Sequence, residues 1–109
     1  MDTQTLTLTS QKYVAEVTRM GRVEEVRLFG SVASGRHTEN SDIDILVVGQ
    51  FPKIPAAKRH NILNTLPSTQ TSYLPFNVYY VTPRAFARAR AWSLLGEAKR
   101  TSMLVWKKD

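Results

Sequence analysis

Along this chain the spacing of apolar residues switches between helical and strand periods. Tyr13, Val14, Val17 and Met20 fall at i, i+1, i+4 and i+7, which predicts a helix with Ser10 as its N-cap and Gly21 as its stop. The polar, threonine-rich residues 1–9 before it are expected to form a flexible or edge-strand segment. Residues 25–29 (E-V-R-L-F) then predict a strand, and Gly30 a sharp turn. Residues 31–35 suit one helical turn, and residues 38–40 a polar loop. Residues 43–48 (I-D-I-L-V-V) are apolar on both faces beyond the aspartates, the mark of a central strand covered on both sides. Pro52 and Pro55 lead into a helix expected over residues 56–66. F-N-V-Y-Y-V, residues 76–81, is rich in aromatic and β-branched residues and predicts a third strand. Thr82 and Pro83 open a further helix, threonine at the cap and proline at the first position. It is expected to run through Arg84, Phe86, Arg88, Arg90 and Trp92 and to break near residues 93–96. A last short strand is expected over residues 103–106. Strands alternating with helices predict a mixed α/β sandwich.

Composition narrows this picture. At 109 residues with 42% apolar content, the chain fits one globular domain, residues 1–109. It has no cysteine, which removes disulfides, cysteine–zinc sites and thiol catalysis together. Neither a signal peptide nor a membrane span is legible, so the expected setting is the cytoplasm, with no membrane partner. The net charge of +6 is unevenly divided. Five Lys/Arg oppose seven Asp/Glu up to Asp44, whereas ten Lys/Arg oppose two acids from Ile45 onward. That asymmetry suits either a solvated basic face or contact with something anionic: a polyphosphate, an acidic protein or, on charge alone, nucleic acid.

Candidate chemistry begins with Asp42 and Asp44. Two residues apart on a strand, their side chains share a face at a backbone separation of roughly 7 Å. Two carboxylates so placed can converge on hard cations such as Mg²⁺, with waters and substrate phosphates completing the shell. On this spacing alone, a pair of solvated loop-end aspartates is the alternative. The second element is Gly30-Ser31, at a strand-to-turn junction where backbone N–H groups and a hydroxyl can meet an anion and glycine permits close approach. Ten residues separate Ser31 from Asp42, enough to return the chain and set the two strands side by side.

The run L-F-G-S-V-A-S-G-R-H-T-E-N-S-D-I-D-I-L-V-V, residues 28–48, resembles the minimal nucleotidyltransferases of the DNA polymerase beta superfamily. The shared pattern is Gly-Ser, ten residues, then Asp-x-Asp, and the order of elements extends the likeness over nearly the whole chain. The resemblance implies a mixed sheet of three to four strands flanked by helices. It also implies transfer of a nucleoside monophosphate, AMP above all, from an NTP such as ATP to an acceptor hydroxyl. Carried over, Gly30 and Ser31 would hold the triphosphate, and Asp42 and Asp44 two Mg²⁺ ions. Arg36 would add a cation near the phosphates. Small members of this kind resemble the antitoxin halves of two-gene modules, which implies an all-helical HEPN-type partner as the acceptor.

Two residues depart from the family pattern. Ser34 stands where arginine is frequent. Asn77 stands in the strand position that usually carries a third carboxylate, and no acid other than Glu97 and Asp109 follows Asp44. Asparagine offers a neutral oxygen but accepts no proton and cancels no charge. A lost base typically costs about 10²–10⁴-fold in rate. The second reading is therefore a catalytically impaired module that binds a nucleotide or a partner. Elsewhere, His37 and His60 read as surface histidines, Phe76, Tyr79 and Tyr80 as a half-buried strand, and Arg84, Arg88 and Arg90 as a solvated face.

Overall fold

The structure is a computed structural model that describes residues 3–30, 42–71 and 76–109. Four strands form one mixed sheet: β1 (Arg22–Phe29), β2 (Ile43–Gln50), β3 (Phe76–Val81) and β4 (Met103–Lys107), in the order β3-β2-β1-β4. β2 pairs antiparallel with β1 and parallel with β3, and β4 closes the far edge antiparallel to β1. The helices are α1 (Thr3–Val17), α2 (Ala56–Leu63), α3 (Pro67–Thr71), α4 (Pro83–Ala87) and α5 (Leu94–Thr101). This is the expected mixed sheet flanked by helices. Among the described residues, no helix is long and apolar enough to cross a membrane.

The pleat of β2 explains its unbroken apolar run. Ile43, Ile45 and Val47 point to one face, where Tyr13, Val14 and Val17 of α1 and Leu63 of α2 complete the larger core. Leu46 and Val48 point to the other face, where Phe86 of α4 covers them with Phe29, Val81 and Leu95 around it. A strand covered on both faces has no position left for solvated side chains except at its ends. The two aspartates lie at such an end.

Several boundaries move for identifiable reasons. α1 starts at Thr3, so residues 3–9 belong to the helix rather than to a separate segment, and Ser10 does not cap it. Ser10 instead faces the core beside Tyr13 and Val14, 2% exposed. α2 stops three residues short of the expected end because the Asn64 side chain takes over. Its Nδ2 donates to the His60 and Val78 carbonyls (2.8 and 3.2 Å), and its Oδ1 accepts from the Val78 amide (2.8 Å). Asn64 thus terminates a helix and hydrogen-bonds the outer edge of β3. α3, which apolar spacing did not predict, is held at its start by the Glu16 carboxylate accepting from the Ser68 amide at 3.0 and 3.1 Å.

The helix expected to run through Trp92 is cut short, and a separate helix begins at the expected break. Thr82 caps α4, accepting from the Ala85 amide at 3.1 Å, but the helix ends at Ala87. Ser93 then caps α5: its Oγ accepts from the Gly96 amide at 2.9 Å and donates to the Arg90 carbonyl at 2.8 Å. The chain folds back so tightly here that a Cβ on Gly96 would overlap the Arg90 carbonyl, which makes glycine obligatory.

Candidate functional site

Asp42 immediately precedes β2 and is exposed, whereas Asp44, one pleat further in, is partly buried. Both belong to the face that carries Leu46 and Val48. The sheet register sets Phe29 of β1 and Asn77 of β3 on either side of Asp44. Position 77 is therefore a direct cross-strand neighbour of Asp44.

The Asn77 side chain reaches both aspartates. The Asn77 amide nitrogen donates to Asp42 Oδ2 at 2.8 Å and to Asp44 Oδ1 at 3.2 Å. The remaining Asp44 oxygen turns toward Gly30, at the end of β1. Gly30 has φ +77°, the left-handed region, and a Cβ there would lie 2.6 Å from Asp44 Oδ2. Glycine at position 30 is thus required by the turn and by the carboxylate behind it. The Asp44 carboxyl is held above its ordinary range, chiefly because burial disfavours its charge. The Asn77 hydrogen bond pulls the other way, and the Asp42 charge adds to the rise.

The fold thus brings Gly30, Asp42, Asp44 and Asn77 to one end of the sheet. Ser31, Ser34, Arg36 and His37 lie outside the described residues. Among the described residues no group of three or more His, Cys, Asp or Glu side chains could hold a metal ion. Two carboxylates that meet one nitrogen from different residues do fit a hard cation, since a cation between them would replace the amide protons they accept. Among the described residues, the polar side chains at this point are two acids and a neutral amide.

A cavity of about 830 Å³ adjoins this end of the sheet. Gly30, Phe29, Leu46 and Tyr79 contribute one wall, and Leu94 and Leu95 of α5 the other. Tyr79, expected to be half-buried in a strand, is 51% exposed, with its ring edge-on to Phe29 at 5.3 Å. Apolar spacing gave no sign of this cavity, because the strands and the helix that line it are far apart in the chain. His60 and Arg84, Arg88 and Arg90 are exposed, as read.

Comparison with known proteins bears on the family and the fold. Residues 10–88 match the family model described as a nucleotidyltransferase domain. A Methanocaldococcus jannaschii protein, named provisionally as a protein adenylyltransferase, is 62% identical over 29 residues. That match spans 27% of this chain and only 29% of the relative's own length. A solved structure named provisionally as a nucleotidyltransferase, from Sulfolobus solfataricus, superposes with a TM-score of 0.62 at 22% identity, covering 94% of this chain and 80% of that one. Another, described as a toxin–antitoxin with AMP-PNP, superposes at 0.60 and 21% identity, covering 94% and 73%. At such identities the superpositions establish the fold, while the match over residues 10–88 establishes the family. This chain belongs to the nucleotidyltransferase domain family.

Proposed function

We infer that this domain transfers AMP, or another nucleoside monophosphate, from an NTP to a hydroxyl group of a partner protein. The observation that carries this reading is the meeting of Asp42 and Asp44 on one point beside Gly30. Gly30, by lacking a Cβ, leaves room for a phosphate to approach the backbone, and Ser31 and Arg36 would add a hydroxyl and a cation to that cradle. Asp42 and Asp44 would hold Mg²⁺, up to two ions, which when bound offsets phosphate charge and favours deprotonation of the acceptor hydroxyl. Asp42 and Asp44 would in this way help to orient the triphosphate. The apolar cavity next to them offers a water-poor wall for the rest of the nucleotide or for the acceptor.

The short stretch shared with a protein named as an adenylyltransferase supports AMP as the group transferred. A toxin–antitoxin of the same fold supports a protein acceptor, and the all-helical HEPN type is the partner we propose from the family resemblance alone. The basic second half of the chain suits an acidic partner surface. Nucleic acid would draw on that charge alone and is the weaker choice.

One observation favours a second reading. Asn77 fills the space between the carboxylates where a third acid would otherwise help to hold a cation and take a proton. On that reading the domain binds a nucleotide or a partner and turns over slowly or not at all. Incubation with Mg²⁺ and labelled ATP, with and without the product of the neighbouring gene, separates the two. Label transfer that vanishes in Asp42→Asn and Asp44→Asn establishes the transferase. ATP binding without transfer, with transfer gained in Asn77→Asp, establishes the impaired module. Nucleotide binding indifferent to both aspartates would sink the site itself.

A further inference from the structure

We propose that the Asn77 side chain is an internal occupant of the cation position, so that a divalent cation binds at Asp42 and Asp44 by expelling its amide. The inference rests on the reading of these aspartates as metal ligands and concerns what Asn77 does to them.

The geometry is specific. One nitrogen reaches carboxylates of two different residues, at 2.8 and 3.2 Å. A primary amide has two N–H donors, so both are used inside the cluster. Because the amide is planar, its oxygen is held away from the oxygens that its nitrogen contacts. Asn77 therefore presents donors rather than a ligand to the space between the acids. A cation bridging those acids would come within about 2.1 Å of their oxygens, inside the reach of the amide nitrogen. The two occupants exclude each other unless the side chain rotates.

Electrostatics gives a reason for the amide. Asp44 is partly buried, and the Asp42 carboxylate meets the same amide nitrogen. A third carboxylate at position 77 would add repulsion whenever no cation is bound. The neutral amide instead contributes two hydrogen bonds to charged acceptors and keeps the pair assembled without metal. Asn77 is thus a positioning residue: it lowers the dependence of the folded site on a cation and raises the cation concentration needed to fill it.

The test uses Mn²⁺ alone, titrated against the whole chain, with free Mn²⁺ followed by its paramagnetic resonance signal. Asn77→Ala removes the competitor and leaves both acids. It is expected to bind Mn²⁺ on the order of tenfold more tightly than the wild type, the scale of one lost hydrogen bond to a charged group. Asn77→Val, which suits a strand, should do the same if the alanine variant folds poorly. Metal-free Asn77→Asp should melt below the wild type and show the larger rise in Tm on addition of Mn²⁺. Weaker binding in Asn77→Ala and Asn77→Val would show that the amide oxygen is a ligand, and equal binding, including none in any variant, that it competes with nothing. Either result overturns the proposal. Asp42→Asn and Asp44→Asn keep the two readings apart. If Mn²⁺ binding survives both, the assignment of the aspartates has failed; if it needs them but ignores residue 77, only the role of Asn77 has.

Discussion

Gly30 and Tyr13 show how much single positions carry in this fold. At Gly30 the left-handed backbone alone disfavours any other residue by about 1–2 kcal/mol. A methyl group there would also press on Asp44 Oδ2. Gly30→Ala should lower stability by at least that amount and weaken ATP binding, measured by denaturant unfolding and by titration. An unchanged ATP affinity would mean that the phosphates lie elsewhere. Tyr13 is fully buried, and its hydroxyl donates to the Leu63 carbonyl at 2.7 Å, tying α1 to the end of α2. Tyr13→Phe leaves that carbonyl unpaired and should cost about 1–3 kcal/mol near neutral pH. Burial first, and the Glu16 carboxylate second, hold the Tyr13 phenol well above its ordinary 10.0. In the unfolded chain it would ionise near that ordinary value, so above it the unfolded state binds fewer protons than the native one. The contribution of Tyr13 is complete below pH 10 and declines as pH rises beyond it. Unfolding free energies followed above pH 10 should fall more steeply in the wild type than in Tyr13→Phe.

Among the elements, α1 and the α4–α5 corner departed most from the sequence reading. Ser10 has the residue type of an N-cap and sits before the apolar period, yet the helix runs on through it from Thr3. Propensity cannot tell a cap from a serine inside a helix when the preceding threonines can also be helical. The Ser10 hydroxyl is buried with no hydrogen-bond partner among the described residues. Ser10→Ala should accordingly stabilise the protein by about 1 kcal/mol, through relief of desolvation and better helix propensity. A lower denaturation midpoint would reveal a partner for that hydroxyl. At the α4–α5 corner the signals were present but competing. Thr82 and Pro83 start one helix and Ser93 starts another, and the apolar and basic residues between them read as continuous. The turn is decided by Gly96, which alone lets the Arg90 carbonyl close in. That corner leaves Trp92 and Leu94 in the open, 80% and 87% exposed, and places Leu95 over the second core.

On the scale of the whole molecule, the sheet order is what makes a site. Ordered β3-β2-β1-β4, the sheet sets β2 between the strand that ends at Gly30 and the strand that carries Asn77. The far edge is stabilised by β4, whose Trp106 pairs with Val26 and packs against the larger core. Trp106→Ala should therefore cost roughly 2–3 kcal/mol while leaving the distant aspartates in place. Equilibrium unfolding and Mn²⁺ affinity measured on the same protein would check both parts.

The sequence by itself determined the strand centres, the alternation of strands with helices, and the membership that Gly-Ser and Asp-x-Asp announce. These are local patterns: a period of two, a turn-forming glycine, two acids at the end of an apolar run. It also marked Asn77 as a departure, because a missing charge is visible in the letters. Only the tertiary structure decided what that asparagine does. Its contact with both aspartates depends on parallel pairing between β2 and β3, across 35 residues to Asp42 and 33 to Asp44. The same holds for Asn64 on the edge of β3, Glu16 at the start of α3, and the cavity beneath α5. Each arises between elements far apart in the chain, where no local period carries information.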